Sequence, residues 1–252
     1  MIDIHSHIIY GVDDGARDEN ETIEMLKMAK ASGVNKIVAT PHFVRGVFDN
    51  YYDIIKNKVN EIQKLAKKNK IDIEVYCGQE VHYHENIFTY YKEGKIGTIN
   101  DTRYMLIELS MGDFDLDEVV YNLYELRLKG IVPIIAHPER YRKFIKNPEL
   151  INVLIKEECL FQLNADSLTG YFGRKEKKLA IKYYEAGIYS FIGSDGHRSK
   201  GRTTDISDVL KIIEKDKKDI FYNNAERLLK DEKINFIGSY IKEKNKILAL
   251  FR

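Results

Sequence analysis

Tryptophan is missing from the 252 residues, cysteine occurs twice, proline four times, and 40 basic against 39 acidic side chains leave a net charge of +1. Each shortage excludes something. Cys77 and Cys159 are too few for a disulfide scaffold or a thiolate metal cage. Neither sits in a Cys-x5-Arg phosphate loop, so cysteine-based phosphatase chemistry is excluded. Both fall in or beside apolar runs, where a thiol behaves as a small buried hydrophobe. The balanced charge provides no bulk attraction to nucleic acid or anionic membrane, and the Lys-rich stretches 67–70 and 175–178 read as solvated helix faces or ends. No apolar run of about 18 residues is present to span a membrane. Asp3, His5 and His7 interrupt any signal-like segment near Met1. The expectation is a cytoplasmic protein with no nucleic-acid or membrane partner. With 44% hydrophobic residues and no linker-like stretch, residues 1–252 read as one domain with one sizeable core.

What the chain does have is histidine and carboxylate at short, punctuated spots from one end to the other. These are His5 and His7 in His-Ser-His, Asp14 in Gly-Val-Asp-Asp-Gly, His42 after Thr-Pro, and Glu80 after Gly-Gln. Glu108 follows Leu-Ile, His137 opens His-Pro-Glu-Arg, and Asp195 and His197 share Ser-Asp-Gly-His. Nine candidate ligands are too many for one ion. Imidazole and carboxylate without thiolate suit Mn, Fe or Zn, and metals clustered at close range are a device for splitting phosphate esters. Taken singly, each residue also has a bland reading as a satisfied structural group. The His-x-His pair does better, because alternate strand residues point to one face and both imidazoles can reach one ion.

Placement decides between the readings. Strand-like apolar runs recur at 1–4, 36–39, 71–77, 104–109, 131–136, 160–163 and 189–192, each followed by a helical pattern. Leu116, Val119, Val120, Leu123 and Leu126 keep one helical face apolar, Asp115 with Glu118 resembles a capping box, and Gly130 is placed as a stop. Ile55, Val59, Ile62 and Ala66 repeat the pattern, as do Ile23, Leu26 and Ala29 ahead of Gly33. Seven strand-then-helix units imply a parallel sheet closed into an α/β barrel. Each candidate ligand then lies at the C-terminal end of a strand or in the loop after it, which is the active-site face of such barrels. Random scatter would not choose strand ends six times. The sixth run also ends in a polar cluster, Gln162 to Asp166, where Asn164 reads first as a turn residue.

These motifs resemble the PHP (polymerase and histidinol phosphatase) superfamily, and within it the manganese-dependent tyrosine-protein phosphatases of bacterial capsule and exopolysaccharide systems. The resemblance runs from Asp3-Ile-His-Ser-His7 through Ala39-Thr-Pro-His42, Leu106-Ile-Glu-Leu-Ser110 and His137-Pro-Glu-Arg-Tyr141 to Gly193-Ser-Asp-Gly-His197. The Asp-Asp-Gly and His-Pro-Glu-Arg-Tyr elements are its narrowest signals. It implies a distorted (β/α)7 barrel of the PHP type holding three divalent ions, Mn first with Fe or Zn as alternatives. One ion would be held by His5, His7, Glu80 and Asp195, a second by Glu80, Glu108 and His137, and a third by Asp14, His42 and His197. The phosphate-clamping arginines correspond to Arg140 and Arg202. The implied partner is a tyrosine-phosphorylated protein, namely the tyrosine-rich tail of a bacterial tyrosine kinase.

The chemistry agrees. A divalent metal lowers the pKa of bound water from about 16 toward about 7, so hydroxide is available without a side-chain nucleophile. A bidentate guanidinium matches phosphate better than an ammonium does. Tyrosinate, with a pKa near 10, needs little protonation as it leaves. Asp195 and His197 stand closest should an acid be needed, though as ligands both are poorly suited. The alternatives are a small-molecule phosphatase such as a histidinol-phosphate phosphatase and, more distantly, a non-catalytic PHP module. Arg45 to Tyr52, with Phe43, Phe48, Tyr51 and Tyr52, is the expected rim for a phosphotyrosine ring. His82 and His84 read as loop or rim residues. An apolar C-terminal stretch (Phe236, Ile237, Tyr240, Ile241, Ile247, Leu248, Leu250, Phe251) is expected to dock on the barrel or on another subunit.

Overall fold

The computed structural model describes residues 1–242. Short runs rich in Ile, Val and Leu pair as parallel strands, since such runs need cover on both faces of the sheet. The strands are β1 (Ile2–Ser6), β2 (Lys36–Ala39), β3 (His42–Phe43), β4 (Glu74–Cys77), β5 (Glu80–His82), β6 (Tyr104–Glu108), β7 (Val132–Ala136), β8 (Leu160–Asn164) and β9 (Phe191–Gly193). They pair in the orders β1-β2-β4 and β3-β5-β6-β7-β8-β9. Ser6 bridges Gly196, and Asp195 N donates to His5 O at 2.8 Å, so the chain after β9 meets β1 and the parallel sheet curls toward itself.

Helices follow the strands. They are α1 (Glu19–Ala31) after β1, α2 (Tyr52–Lys68) after β3, α3 (Ile87–Lys92) after β5 and α4 (Leu116–Arg127) after β6. α5 (Arg142–Lys146) and α6 (Ile151–Lys156) follow β7, α7 (Ala165–Thr169) and α8 (Arg174–Glu185) follow β8, and α9 (Ser207–Ile212) and α10 (Lys215–Leu229) follow β9. The expected apolar faces are buried: Leu26 and Ala29 on α1, Ile55, Val59, Ile62 and Ala66 on α2, and Leu116, Val119, Leu123 and Leu126 on α4. Asp115 caps α4 by accepting from Asp117 N and Glu118 N at 2.9 and 3.3 Å. The other half of the expected capping box is absent, because Glu118 accepts from Tyr83 Oη instead, at 2.9 Å.

The expectation of seven unbroken strands needs correction. Pro41 has no N–H to give a ladder, and it separates β2 from β3; Gly78 and Gln79 separate β4 from β5. Gly78 N to Ala39 O (2.9 Å) and Glu80 N to Pro41 O (3.1 Å) carry the pairing across the gap. His42 and Glu80 therefore sit in short strands of their own, and β4 starts at Glu74 instead of Ile71.

Register then aims the site. His42 lies opposite Glu80, Glu80 opposite Leu106, and His82 opposite Glu108. Directly opposite residues share a face of the sheet. Tyr104, Leu106, Ile134, Ala136, Leu160 and Phe191 fill the inside of the curl, while Met105, Ile107 and Ile135 pack outward under the helices. Glu108, two residues beyond Leu106, consequently faces inward at the C-terminal end, and Glu80 beside it. Ala225 and Leu228 of α10 join the inner cluster from the opposite end. In β1, Asp3 pairs with Ile37 and Ser6 with Ala39, which inserts one extra residue beside His5. Such bulges re-aim side chains next to active sites.

Of the C-terminal apolar stretch, Phe236 packs edge-on against Phe161 with ring centroids 6.2 Å apart. Ile241 is buried and exchanges two 2.8 Å hydrogen bonds with the Asn152 side chain. Ile237 and Tyr240 are exposed. Ile247, Leu248, Leu250 and Phe251 lie outside the described residues. Among the described residues no helix is long and apolar enough to cross a membrane.

Candidate metal centre

All nine residues singled out by motif meet in one basin at the C-terminal ends of the strands, around the Glu80 carboxylate. Glu80 Oε2 lies 3.2 Å from His5 Nε2, 3.2 Å from His7 Nε2 and 3.1 Å from His42 Nδ1, and Oε1 lies 3.0 Å from His137 Nε2. Asp195 Oδ1 is 3.6 Å from His5 Nε2, 3.5 Å from His7 Nε2 and 3.5 Å from His197 Nδ1. Asp14 Oδ1 is 3.4 Å from His197 Nε2 and 3.6 Å from His42 Nε2; Glu108 Oε1 is 3.6 Å from His137 Nε2.

Three groups of side chains place ligand atoms within 4.8 Å of one another: His5, His7, Glu80 and Asp195; His7, Asp14, His42 and His197; and His42, Glu80 and Glu108. They share His7, His42 and Glu80. The grouping differs from that implied by resemblance in three respects: His7 also joins Asp14, His42 joins Glu80 and Glu108, and His137 belongs to none of the three groups, although its Nε2 lies 3.0 Å from Glu80 Oε1.

The hydrogen bonding within the donor set fits metal ions. Gln162 Oε1 accepts from His137 N at 3.2 Å, which fixes the amide orientation, and it also accepts from His5 Nδ1 at 3.0 Å. Asp13 Oδ2 accepts from His7 Nδ1 at 2.8 Å. In their neutral forms both imidazoles thus carry their proton on Nδ1, which leaves two Nε2 lone pairs facing each other at 3.2 Å beside a carboxylate. A cation between them resolves that arrangement. Glu80 Oε2, Asp195 Oδ1, His42 Nδ1, His137 Nδ1 and His197 Nε2 are buried without a hydrogen-bond partner among the described residues. Such orphaned atoms are rare in folded proteins unless something absent satisfies them.

Electrostatics point the same way. Burial would raise the Glu80 carboxyl pKa, but the imidazoles of His5 and His42 outweigh it and hold the group well below the usual range. At Asp195 burial is again outweighed, by His5, Arg202 and Arg140. Burial alone would make His7 harder to protonate, yet Asp13 and then Glu80 drive its pKa well upward, so the protein groups by themselves call for positive charge at this spot.

Neighbouring groups that the motifs did not single out hold the candidates in place. Asp13 accepts from His42 N at 2.9 Å and from Gly15 N at 2.8 Å as well as from His7 Nδ1, so it orients the His7 imidazole and pins the main chain at His42. Its signal in the sequence is the acidic doublet Asp13-Asp14, of which Asp14 is the candidate ligand. Asn164 Nδ2 donates to Asp195 Oδ2 at 2.7 Å; it also caps α7, so the turn reading was half of its role. His82 Nδ1 donates to Glu108 Oε2 at 3.1 Å, whereas His84 accepts from Asn86 N and lies against Tyr90. Glu21, 5% exposed, accepts from Arg17, Arg198 and Ser199, and so ties the loop after Asp14 to the loop after His197. A Cβ on Gly193 would come within 2.5 Å of the His5 Cβ, so the close approach of β9 to His5 requires glycine there. His137 (φ 31) and Asp195 (φ 51) hold left-handed backbone, a strain that concentrates at functional sites.

Arg140 and Arg202 both reach Asp195 Oδ2, Arg140 through Nη1 at 2.7 Å. Beneath them lies Phe172, its ring centroid 4.3 Å from the Arg140 Cζ and 5.8 Å from that of Arg202. No motif signalled Phe172.

The expected rim is partly overturned. Phe48 stacks on His42, centroids 6.1 Å apart and planes 10° from parallel. Phe43 is buried instead, and Tyr52 is buried with its hydroxyl donating to Thr98 O at 2.6 Å. Both are packing residues, because the short strand β3 turns Phe43 into the core and α2 begins at Tyr52. Cys77 and Cys159 are also buried, and burial pushes both thiols up to about 12.

Comparison with known proteins gives concordant matches. The family model for capsular polysaccharide synthesis proteins CpsB/CapC matches residues 1–230. CapC of Staphylococcus aureus is 37% identical over 239 residues, covering 93% of this chain and 90% of CapC. The tyrosine-protein phosphatase YwqE of Bacillus subtilis (strain 168) is 35% identical over 242 residues, covering 93% of each. Among solved structures, one from the work on YwqE from Bacillus subtilis and CpsB from Streptococcus pneumoniae, described as unique metal-dependent tyrosine phosphatases, matches with a TM-score of 0.89 at 33% identity. It covers 96% of this chain and 100% of that one.

Proposed function

The chain belongs to the CpsB/CapC family of capsular polysaccharide synthesis, and from that premise we propose that it is a metal-dependent protein-tyrosine phosphatase whose nine-residue basin holds up to three divalent ions, Mn2+ first among them. Its substrate is a tyrosine-phosphorylated protein, and the exposed tail of a bacterial tyrosine kinase suits an open strand-end site. We read the curled sheet as a distorted (β/α)7 barrel of the PHP type and place the enzyme in the cytoplasm, in keeping with its two unpaired cysteines.

Bound in the basin, divalent ions would supply a water acidic enough to attack phosphorus near neutral pH, together with positive charge for the phosphoryl oxygens. The chain's own residues do the rest. Asp13 and Gln162 fix the His7 and His5 rings through Nδ1 and keep both Nε2 atoms turned inward. Arg140 and Arg202, held over Phe172, present guanidinium protons at the Asp195 edge, where a phosphoryl group entering the basin would share them. Phe48, parallel to His42, flanks the approach for the phenyl ring. The tyrosinate oxygen leaves with little help because its pKa is near 10.

The observation that carries this reading is the convergence of unpaired imidazole nitrogens and carboxylate oxygens on Glu80. The test is turnover of phosphotyrosine peptide, phosphoserine peptide and histidinol phosphate by the Mn-loaded protein. Preference for phosphotyrosine is expected; preference for histidinol phosphate would move the assignment to a small-molecule phosphatase.

A further inference from the structure

The turn that joins α7 to α8 puts two aromatic residues at the edge of the basin. Asp166 O accepts from Gly170 N at 3.2 Å and from Tyr171 N at 3.1 Å, which ends α7, and Gly173 N to Gly170 O at 3.1 Å closes the turn. Gly170 (φ 97) and Gly173 (φ 123) hold left-handed backbone that a side chain would strain, so the bend is set on both sides of Tyr171 and Phe172. The two rings meet edge to face, with centroids 5.1 Å apart and planes at 81°. Tyr171 is exposed, and its hydroxyl lies 3.5 Å from the place a Cβ on Gly201 would take, one residue before Arg202. Phe172 is half-buried and lies under both arginines.

Each guanidinium is held in two different ways. One is through its N–H edge: Arg140 Nη1 donates to Asp195 Oδ2 at 2.7 Å, and Arg202 Nη2 reaches the same oxygen. Among the described residues the side-chain hydrogen bonds and ion pairs of both arginines run to Asp195 alone. The other is the ring, with the Phe172 centroid 4.3 Å from the Arg140 Cζ and 5.8 Å from the Arg202 Cζ. A guanidinium is attracted to the π face of an aromatic ring, and stacking there leaves its N–H groups free for other acceptors. A single hydrogen bond fixes one N–H and lets the guanidinium plane turn about it, whereas the ring restricts the plane. Two cations crowded on one carboxylate oxygen also repel, and the electron-rich ring face offsets part of that repulsion.

We infer that Phe172 is a positioning residue for phosphate recognition: its ring keeps Arg140 and Arg202 side by side and in plane while their N–H groups pass from Asp195 to the phosphoryl oxygens. The inference rests on the phosphatase reading above. Exchanging one acceptor for another leaves the ring contact in place, so each guanidinium meets the incoming oxygens already oriented, and bidentate contact with phosphate depends on that orientation. Phe172 therefore acts on the phosphoryl half of the substrate. Phe48, by contrast, stacks on His42 and is the residue set to meet the phenyl half.

The test replaces Phe172 by phenylalanines carrying one, two and three ring fluorines, which withdraw π density at nearly constant shape, and separately by Leu and by Tyr. Three quantities are read on the Mn-loaded proteins: affinity for inorganic phosphate by calorimetry, kcat/KM for a phosphotyrosine peptide, and metal content. Phosphate affinity and kcat/KM should fall together and stepwise with fluorination, to a loss of about 2- to 30-fold at three fluorines, the range of a cation–π contact, while metal content holds. Phe172→Leu should lose at least as much, and Phe172→Tyr should stay within about twofold of the parent because it keeps the ring face. Should Phe172→Leu not fold, the fluorinated series still decides. A loss in Phe172→Leu with no response to fluorination makes Phe172 a packing residue and overturns the inference. So does a response confined to the peptide with phosphate affinity unchanged, which would put the ring against the substrate's phenyl group. Fluorination-dependent phosphate affinity without turnover of the peptide leaves the role of Phe172 standing and overturns the phosphatase reading. A parent that binds no phosphate overturns the inference, and one that also turns over no peptide overturns both.

Discussion

Arg140 Nη1 and Asp195 Oδ2 lie 2.7 Å apart, and this contact joins the cationic edge of the basin to its metal side. The other Asp195 oxygen faces His5 and His7. One carboxylate therefore spans both halves of the site, and its Oδ2 gathers Arg140, Arg202 and Asn164.

Arg140→Ala should keep the metal content, since Asp195 retains Arg202 and Asn164, and should cut phosphotyrosine turnover by about 10²-fold or more, the scale for losing one preorganised charge partner. Arg140→Lys should recover only part, because a point charge cannot make the bidentate contact. Metal analysis alongside kcat separates the roles: loss of metal in Arg140→Ala would make Arg140 a support of the centre instead of a phosphate clamp.

Replacing Cys77 and Cys159 together by Ser should leave turnover within a few-fold of the parent. Both thiols are buried and pushed up to about 12, so neither is a nucleophile near neutral pH. Thermal stability should fall, because two hydroxyls enter apolar surroundings. A trapped covalent phosphoenzyme would contradict an attack by water.

Asp13→Ala should weaken metal binding by about 10- to 100-fold, the range for removing a partner that orients a ligating histidine. The change frees the His7 ring and deprives His42 N and Gly15 N of their acceptor. Metal titration of the apo-protein measures it. An unchanged affinity would show that the bulged strand alone positions His7.

How much of this was legible in the chain depends on the type of signal. The candidate ligands were readable because their motifs punctuate apolar runs, and the ends of parallel strands converge whatever the helices between them do. The breaks at Pro41 and Gly78 were not, since segments as short as His42–Phe43 and Glu80–His82 carry no periodicity. Phe43 and Tyr52 looked like rim residues because aromatic residues after a ligand motif carry no sign of which way the backbone will turn. Phe172, Gln162 and Glu21 act through contacts 25 to 177 residues distant in sequence, which no local pattern encodes. Of the C-terminal stretch expected to dock, Phe236 and Ile241 pack against Phe161 and Asn152 while Ile237 and Tyr240 are exposed, and its last four apolar residues lie outside the described residues.

Phe48→Ala should reduce kcat/KM for phosphotyrosine peptides by roughly 2- to 12-fold, the value of an aromatic pair of about 0.5–1.5 kcal/mol. Inhibition by inorganic phosphate should stay within about twofold, because phosphate lacks the ring that Phe48 would meet. If both change equally, Phe48 supports His42 and does not flank the substrate.

The most direct test of the metal centre is the metal content and phosphotyrosine turnover of the parent and of Glu80→Gln, each stripped by a chelator and then titrated with Mn2+. Glu80 meets His5, His7, His42 and His137 through its two oxygens, so the neutral amide should lower stoichiometry and cut turnover more than loss of any single outer residue. The parent should lose activity on stripping and regain it with up to three equivalents of Mn2+. Full activity in the metal-free parent, or a Glu80→Gln protein with parent stoichiometry and turnover, would contradict the account.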